Sequence, residues 1–334
     1  MKLFFFLKKY IFDNRFIKIC IFLLFVTVIY LQLTSKSDWD NIKESFYSSL
    51  THINFFWLLL FLLLVPVNWT IEAIKWKRVI NTQFKVGTTD SFKAIVAGLS
   101  LAIVTPNRIG DYAGRLIVIP AKYNWLSTVA TFVSSISQNI VTIIFGIIGF
   151  YFLYNKLPGI VEFDLNPIFF LVMLTLVFGV YLCLNIDFLA RFSGHLGLKK
   201  CVQRFRTPLI LLRDLPRNRI LEVLCYSILR FCIYSIQYYL MLRFFQIELS
   251  FLLSICSIWS IFLIQSGVPL PPFLSVLARG EIALVIWGLF DINELTILAV
   301  TFSIWLINLA VPAMLGLILI MNSNILSSLG YEKI

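Results

Sequence analysis

Ala94–Pro120 reads AIVAGLSLAIVTPNRIGDYAGRLIVIP, and this stretch decides what kind of chain it belongs to. It is apolar enough to enter a bilayer, yet Pro106, Gly110, Arg108, Asp111 and Arg115 interrupt it. Its charge-free part is too short to cross. The run from Ala94 to Thr105 rises about 18 Å, against a hydrocarbon core of about 30 Å. Thr105-Pro106 then reads as a helix N-cap followed by the favoured first helical residue. The spacing predicts a re-entrant hairpin with a helix N-terminus near mid-membrane. Irregular backbone at that depth is tolerated only when it is packed in protein or lines a wet cavity.

The surrounding composition supports a membrane setting. Of 334 residues, 60% are AVILMFWYC and 13% are charged, and the mean hydropathy is +0.90. A soluble domain averages nearer half apolar and a quarter charged, so a soluble enzyme is excluded. Charge-free stretches long enough to span run over Ile19–Ser35, Ile53–Ile71, Tyr123–Asn155, Leu165–Ile186 and Leu295–Tyr331. Ile220–Leu242 joins them despite Arg230 in its middle. The first span is not a cleavable signal peptide, because no small-x-small site follows it and further spans do.

A second broken region, 249–290, repeats the plan of the first. An apolar arm leads to Gln265-Ser266-Gly267 and Pro269, Pro271 and Pro272, then to Arg279-Gly280-Glu281 and another apolar arm. Each of its arms is nearly long enough to span, so two ordinary helices remain an alternative there. Broken segments at corresponding positions of two halves point to a transport site between inverted repeats.

The net charge of +11 sorts by side. Lys2, Lys8, Lys9, Arg15 and Lys18 precede the first span, and Lys75, Lys77, Arg78, Lys85 and Lys93 follow the second. The Arg191–Arg219 loop is also basic, while Asp38, Asp40, Glu44, Glu162 and Asp164 lie on the opposite side. The positive-inside rule then places both termini in the cytoplasm of a bacterial-type cytoplasmic membrane. The excess is orientation charge, and nucleic acid is not an expected partner. The expected fold is an all-α polytopic membrane protein, a single integral membrane domain over 1–334. It would have about six full spans plus two Pro/Gly-broken, re-entrant helical hairpins in an inverted-repeat-like arrangement. Residues 190–219 read as a cytoplasmic basic amphipathic loop on anionic lipid; the plainer reading is orientation charge alone.

Charges at membrane depth cost roughly 2.5–3.5 kcal/mol each, so they mark candidate sites. They are Arg108, Asp111, Arg115, Arg230, Arg279 and Glu281. On a helix, Arg108, Asp111 and Arg115 fall at i, i+3 and i+7, so Asp111 can pair with either arginine. The remaining positive surplus suits a phosphate, which Arg binds with two donors at once. The bland alternative is a closed structural salt-bridge network. Thr105, Asn107, Tyr112, Ser135, Gln138, Asn139 and Gln265 are candidate cavity-lining residues, against a reading as interhelical hydrogen-bond glue. Arg230, Tyr234, Gln237 and Tyr238 make a further polar stripe. Trp39, Trp57, Trp76 and Trp125 read as interface anchors. The cysteines Cys20, Cys183, Cys201, Cys225, Cys232 and Cys256 read as small buried hydrophobes. His52 and His195 have no ligating neighbours. No metal, cofactor or catalytic residue is expected.

At TPNRIGDYAGR the sequence resembles the lysylphosphatidylglycerol synthase transmembrane domain family, a flippase-like integral membrane domain. The family pattern, roughly Pro-x-Arg-x-Gly-(Glu/Asp)-x-x-x-Arg, is matched by Pro106, Arg108, Gly110, Asp111 and Arg115. Trp76-Lys77, Ser135 with Gln138, and Gly280-Glu281 are similar more loosely. The resemblance covers nearly the whole chain. One departure is that Pro269-Leu270-Pro271-Pro272 lacks the glycine-rich stretch expected after it. The resemblance implies two re-entrant helices around a lipid-accessible cavity, and translocation of a phospholipid or lipid-linked head-group. Its bifunctional members carry a separate soluble domain that makes the aminoacyl lipid. None follows here, so synthase activity is not expected. The expected partner is membrane phospholipid, with a second copy or a lipid-modifying enzyme as candidate protein partners. Two other classes stay open: a membrane transferase using a lipid-linked donor, with Asp38 and Asp40 as candidate acids, and a non-transporting scaffold.

Overall fold

In a bilayer the backbone must satisfy its own polar groups, and a charge-free apolar sequence does so as helix. The computed structural model describes residues 52–105, 108–157, 214–267 and 275–323, with isolated positions between 19 and 50 and at 211. Among these every regular element is helical. In chain order they are α1 (His52–Ile80), α2 (Thr88–Ile103), α3 (Gly110–Leu116), α4 (Asn124–Lys156), α5 (Arg217–Phe244), α6 (Phe251–Gly267), α7 (Ser275–Trp287), α8 (Glu294–Trp305) and α9 (Val311–Asn322). A π-helical stretch, Leu306–Ala310, joins α8 to α9.

Four helical stretches are long and apolar enough to cross a membrane: Asn54–Ile80, Ala121–Lys156, Arg217–Phe244 and Glu294–Asn322. The chain is an integral membrane protein. These stretches correspond to four of the six expected spans. Of the other two, 165–186 lies outside the described residues, and only scattered helical positions of 19–35 are described. The 190–219 loop, apart from its end, also lies outside them, as do Trp39, His195, Cys183, Cys201, Pro106, Asn107 and the prolines at 269, 271 and 272.

The first broken region folds as a helical hairpin, with a long arm, α2, and a short arm, α3. Glycines let the arms touch. A Cβ on Gly114 would meet Ala97 O and, at 2.5 Å, Gly98 Cα; one on Gly110 would overlap Leu101 O. The expected N-cap at Thr105 is not found: the N-cap of α3 is Ile109, which has no side-chain capping bond. Thr105 Oγ1 accepts from Gly110 N at 2.7 Å and donates to Leu101 O at 2.8 Å, so α3 starts at Gly110 and not at residue 106. Arg108 therefore precedes the helix, with a left-handed φ of 58°. The other face of α2 meets α9, where Gly316 packs against Val96 O and Ser100 Oγ donates to Ala313 O.

The second broken region gives α6 and α7, and residues 268–274 between them lie outside the described residues. Gly146 and Gly149 of α4 let α6 approach through Trp259, Leu263 and Cys256. Two expectations about side chains are corrected. Trp76 is no interface anchor: it is fully buried and donates Nε1 to Thr131 Oγ1 at 3.2 Å. Of the described cysteines only Cys256 is buried, while Cys20 and Cys225 are exposed on outward helix faces.

Candidate functional site

Among the described residues α1 and α5 pack along an extensive seam, and it is polar along part of its length. On α1, Asn68, Trp69, Glu72, Lys75 and Trp76 fall on one helical face, and all are buried. From α5, Arg230 and Gln237 meet that face two turns apart. Asn68 Nδ2 donates to Gln237 Oε1 at 3.2 Å, and Gln237 Nε2 donates to Asn308 Oδ1 of the π segment at 3.1 Å. Beside this chain of amides, Glu72 gathers the charges. Its carboxylate lies 2.7 Å from Lys75 Nζ, 3.2 Å from Arg115 Nη2 and 3.5 Å from Arg230 Nη1.

The hairpin supplies the rest. Arg115 donates Nε and Nη2 to the two carboxylate oxygens of Asp111 at 2.8 and 2.7 Å. This pair fits because α2 offers Gly98 opposite it. A Cβ there would collide with Asp111 Oδ1 and come within 3.1 Å of Arg115 Cγ. From α4, Gln138 Oε1 accepts from Lys75 Nζ at 3.2 Å and faces Arg230 Nη1 at 3.4 Å. The Arg230 guanidinium also lies over the Trp69 ring, 5.1 Å from its centroid. Removing these ions from water is repaid only by such mutual contact, so the cluster stands or falls as a unit.

Around it opens a cavity of about 250 Å³, lined by Trp69, Glu72, Lys75, Ile95, Leu99, Arg108, Asp111, Tyr112, Arg115, Ser134, Ser135, Gln138, Asn139 and Arg230. Arg230 and Gln138 lie near the middle of α5 and α4, so the cavity opens at mid-helix depth. Exposed Arg108 stands at its rim. Four donors on the wall, Trp69 Nε1, Arg115 Nη1, Arg230 Nε and Ser134 Oγ, are buried without a hydrogen-bond partner among the described residues.

A profile for the lysylphosphatidylglycerol synthase TM region matches residues 15–316, most of the chain. The chain belongs to this family. Neither a curated protein nor a solved structure matches it. In this member of the lysylphosphatidylglycerol synthase TM family, the structure brings together Arg108, Asp111, Tyr112, Arg115, Ser135, Gln138, Asn139 and Arg230 of the expected site residues. Thr105 accepts from Gly110 N at the start of α3 and is not among the cavity-lining residues, and Asn107 lies outside the described residues. Gln265, Arg279 and Glu281 are not on the wall; Glu281 is exposed and Arg279 half-buried. Glu72 and Lys75 are the residues that a charge-based reading misses. The charge-free stretch ends at Ile71, which puts Lys75 among the cytoplasmic orientation charges, whereas it is fully buried. The legible signal was a Glu and a Lys three residues apart on the face that also carries Asn68, Trp69 and Trp76.

Proposed function

We propose that this protein is a lipid translocator, moving a phospholipid or lipid-linked head-group across the cytoplasmic membrane with both of its termini on the cytoplasmic side. In this reading the α2–α3 hairpin is re-entrant and α6–α7 is its counterpart from the opposite face. Arg108 and Arg115 bind the lipid phosphate, and Asp111 holds Arg115 in place. No aminoacyl-lipid synthesis is assigned to the chain. The observation that carries the reading is a mid-helix cavity whose wall keeps buried arginine donors without partners among the described residues. Such donors are costly unless a ligand uses them, and helices packed around a mid-membrane ion site are how transporters present one.

The test is translocation of labelled phospholipids by the purified protein in liposomes. Arg108→Ala and Arg115→Ala are expected to lower the rate roughly 10-fold or more, the loss of a charged hydrogen bond to phosphate. Unchanged rates at normal expression and folding would show that these arginines do not handle the lipid.

A further inference from the structure

The described wall leaves several donors free while its carboxylates are ion-paired; Glu72 Oε2 is the one buried acid oxygen there without a hydrogen bond, and it lies 2.7 Å from Lys75 Nζ. Asp111 spends both carboxylate oxygens on Arg115, and Glu72 is shared among Arg115, Lys75 and Arg230. Among the described residues the wall has no third carboxylate to receive a cationic ligand group. The donors are in the opposite condition. Arg115 is only 3% exposed, yet its Nη1 has no partner among the described residues, and neither does Arg230 Nε or Ser134 Oγ. Arg108 adds a guanidinium that makes no ion pair among them. Lys75, Arg108, Arg115 and Arg230 stand against Glu72 and Asp111, so two positive charges on the wall are uncompensated.

We propose that the cavity selects a doubly charged terminal phosphate, a phosphomonoester lipid head-group, and rejects cationic aminoacyl head-groups. This rests on the lipid-handling role proposed above and names its substrate class. A phosphomonoester carries about −1.5 to −2 charges at pH 7 and offers three acceptor oxygens. That matches the surplus in sign and size, and the free edges of Arg115 and Arg230 suit its oxygens. A phosphodiester brings a single negative charge and leaves one cation unmatched. A lysyl ester of a phosphodiester lipid brings ammonium groups into a wall that has no free carboxylate, where like charges in a poorly hydrated space repel strongly.

The test uses the full chain in mild detergent and measures competition with a fluorescent phosphatidic acid. The competitors are phosphatidic acid, phosphatidylglycerol, lysylphosphatidylglycerol and inorganic phosphate. Phosphatidic acid is expected to bind roughly 10-fold more tightly than phosphatidylglycerol, with the lysyl lipid weaker again, one decade per 1.4 kcal/mol of mismatch. Lysylphosphatidylglycerol binding as tightly as phosphatidic acid would overturn the proposal. Inorganic phosphate competing on a par with phosphatidic acid would keep the charge preference and overturn its assignment to a lipid. Arg108→Asp provides a variant that keeps the fold, since Arg108 is exposed and Asp suits the left-handed backbone. It is expected to erase most of the preference for phosphatidic acid over the lysyl lipid, and an unchanged preference would overturn the proposal. Liposome translocation separates the two readings. Transport of the lysyl lipid in preference to phosphatidic acid would sink this proposal alone. The stated binding order with no lipid transported would sink the translocator alone.

Discussion

Residues 88–116 and 251–287 share a plan, yet only the first carries its charges to the cavity. Each has an apolar helix, a break and a shorter helix bearing an arginine and an acid. In the first, Gly98 and Gly114 bring α3 against α2 so closely that Asp111 and Arg115 are buried between α2 and α1, where Glu72 awaits them. In the second, α6 packs on α4 through Gly146 and Gly149, and α7 leaves Glu281 exposed. The difference lies in the neighbours. A charged helix face becomes a site where the helix opposite supplies complementary charge. To the first hairpin α1 and α5 bring Glu72 and Arg230, whereas the α5 groups that meet the second region, Ser235 and Tyr238, take up the indole N–H groups of Trp259 and Trp287.

Removing the hub is the hardest test of that contrast. Glu72→Ala leaves the buried Lys75 and Arg115 and the half-buried Arg230 crowded together with only Asp111 among the described residues to balance them. The expected loss is about 3–5 kcal/mol, as for a broken buried ion pair. It would be read as a large fall in the thermal midpoint of the detergent-solubilised protein. Glu281→Ala removes an exposed acid and should stay within about 0.5 kcal/mol. Equal losses from both would mean that α7 is buried in charge to the same degree as α3, and the contrast would collapse.

Glycine substitutions probe the same contrast through packing. Gly114→Ala drives a Cβ into Ala97 O and Gly98 Cα, backbone atoms that cannot swing aside. About 1–3 kcal/mol of overpacking is expected, with loss of phosphatidic acid binding as Arg115 shifts. Gly288→Ala, just past α7, meets nothing within 4 Å and should be neutral. A harmless Gly114→Ala would show that α2 and α3 are not held as tightly as their contacts imply.

Much of this was legible before any coordinates. Apolar length located the described spans, and the Pro106–Arg115 motif located the hairpin, because both depend on local composition. What escaped depended on partners. Charge marks a span's end when it faces water, so Glu72 and Lys75 looked like the edge of α1, although the helix continues to Ile80 with both inside. Arg108 looked like the first residue of a helical face, but the backbone turns left-handed there and α3 begins two residues later. Trp76 reads as an anchor because it lies near a span end; its partner in space is Thr131. For Trp76 and for the Glu72–Arg115 pair the deciding group lies on another helix, at a separation that no periodicity encodes; for Arg108 it is the local turn that ties Gly110 N to Thr105 Oγ1.

Arg279 gives the smallest expected effect and the sharpest limit on the contrast. It is half-buried, it is absent from the cavity wall, and no ion pair joins it to a described residue. Arg279→Gln keeps the side chain's reach and polarity while removing its charge. If the site belongs to the first hairpin, phosphatidic acid binding should change by less than about 2-fold, within the scatter of a surface substitution. Long-range attraction sets the floor: an arginine elsewhere on the bundle still favours an anion slightly, and salt should abolish that residue of an effect. A 10-fold loss that persists in high salt would mean that Arg279 reaches the ligand directly. The two broken regions would then share the work as halves of one site, and the asymmetry between them would describe a single conformation of the protein.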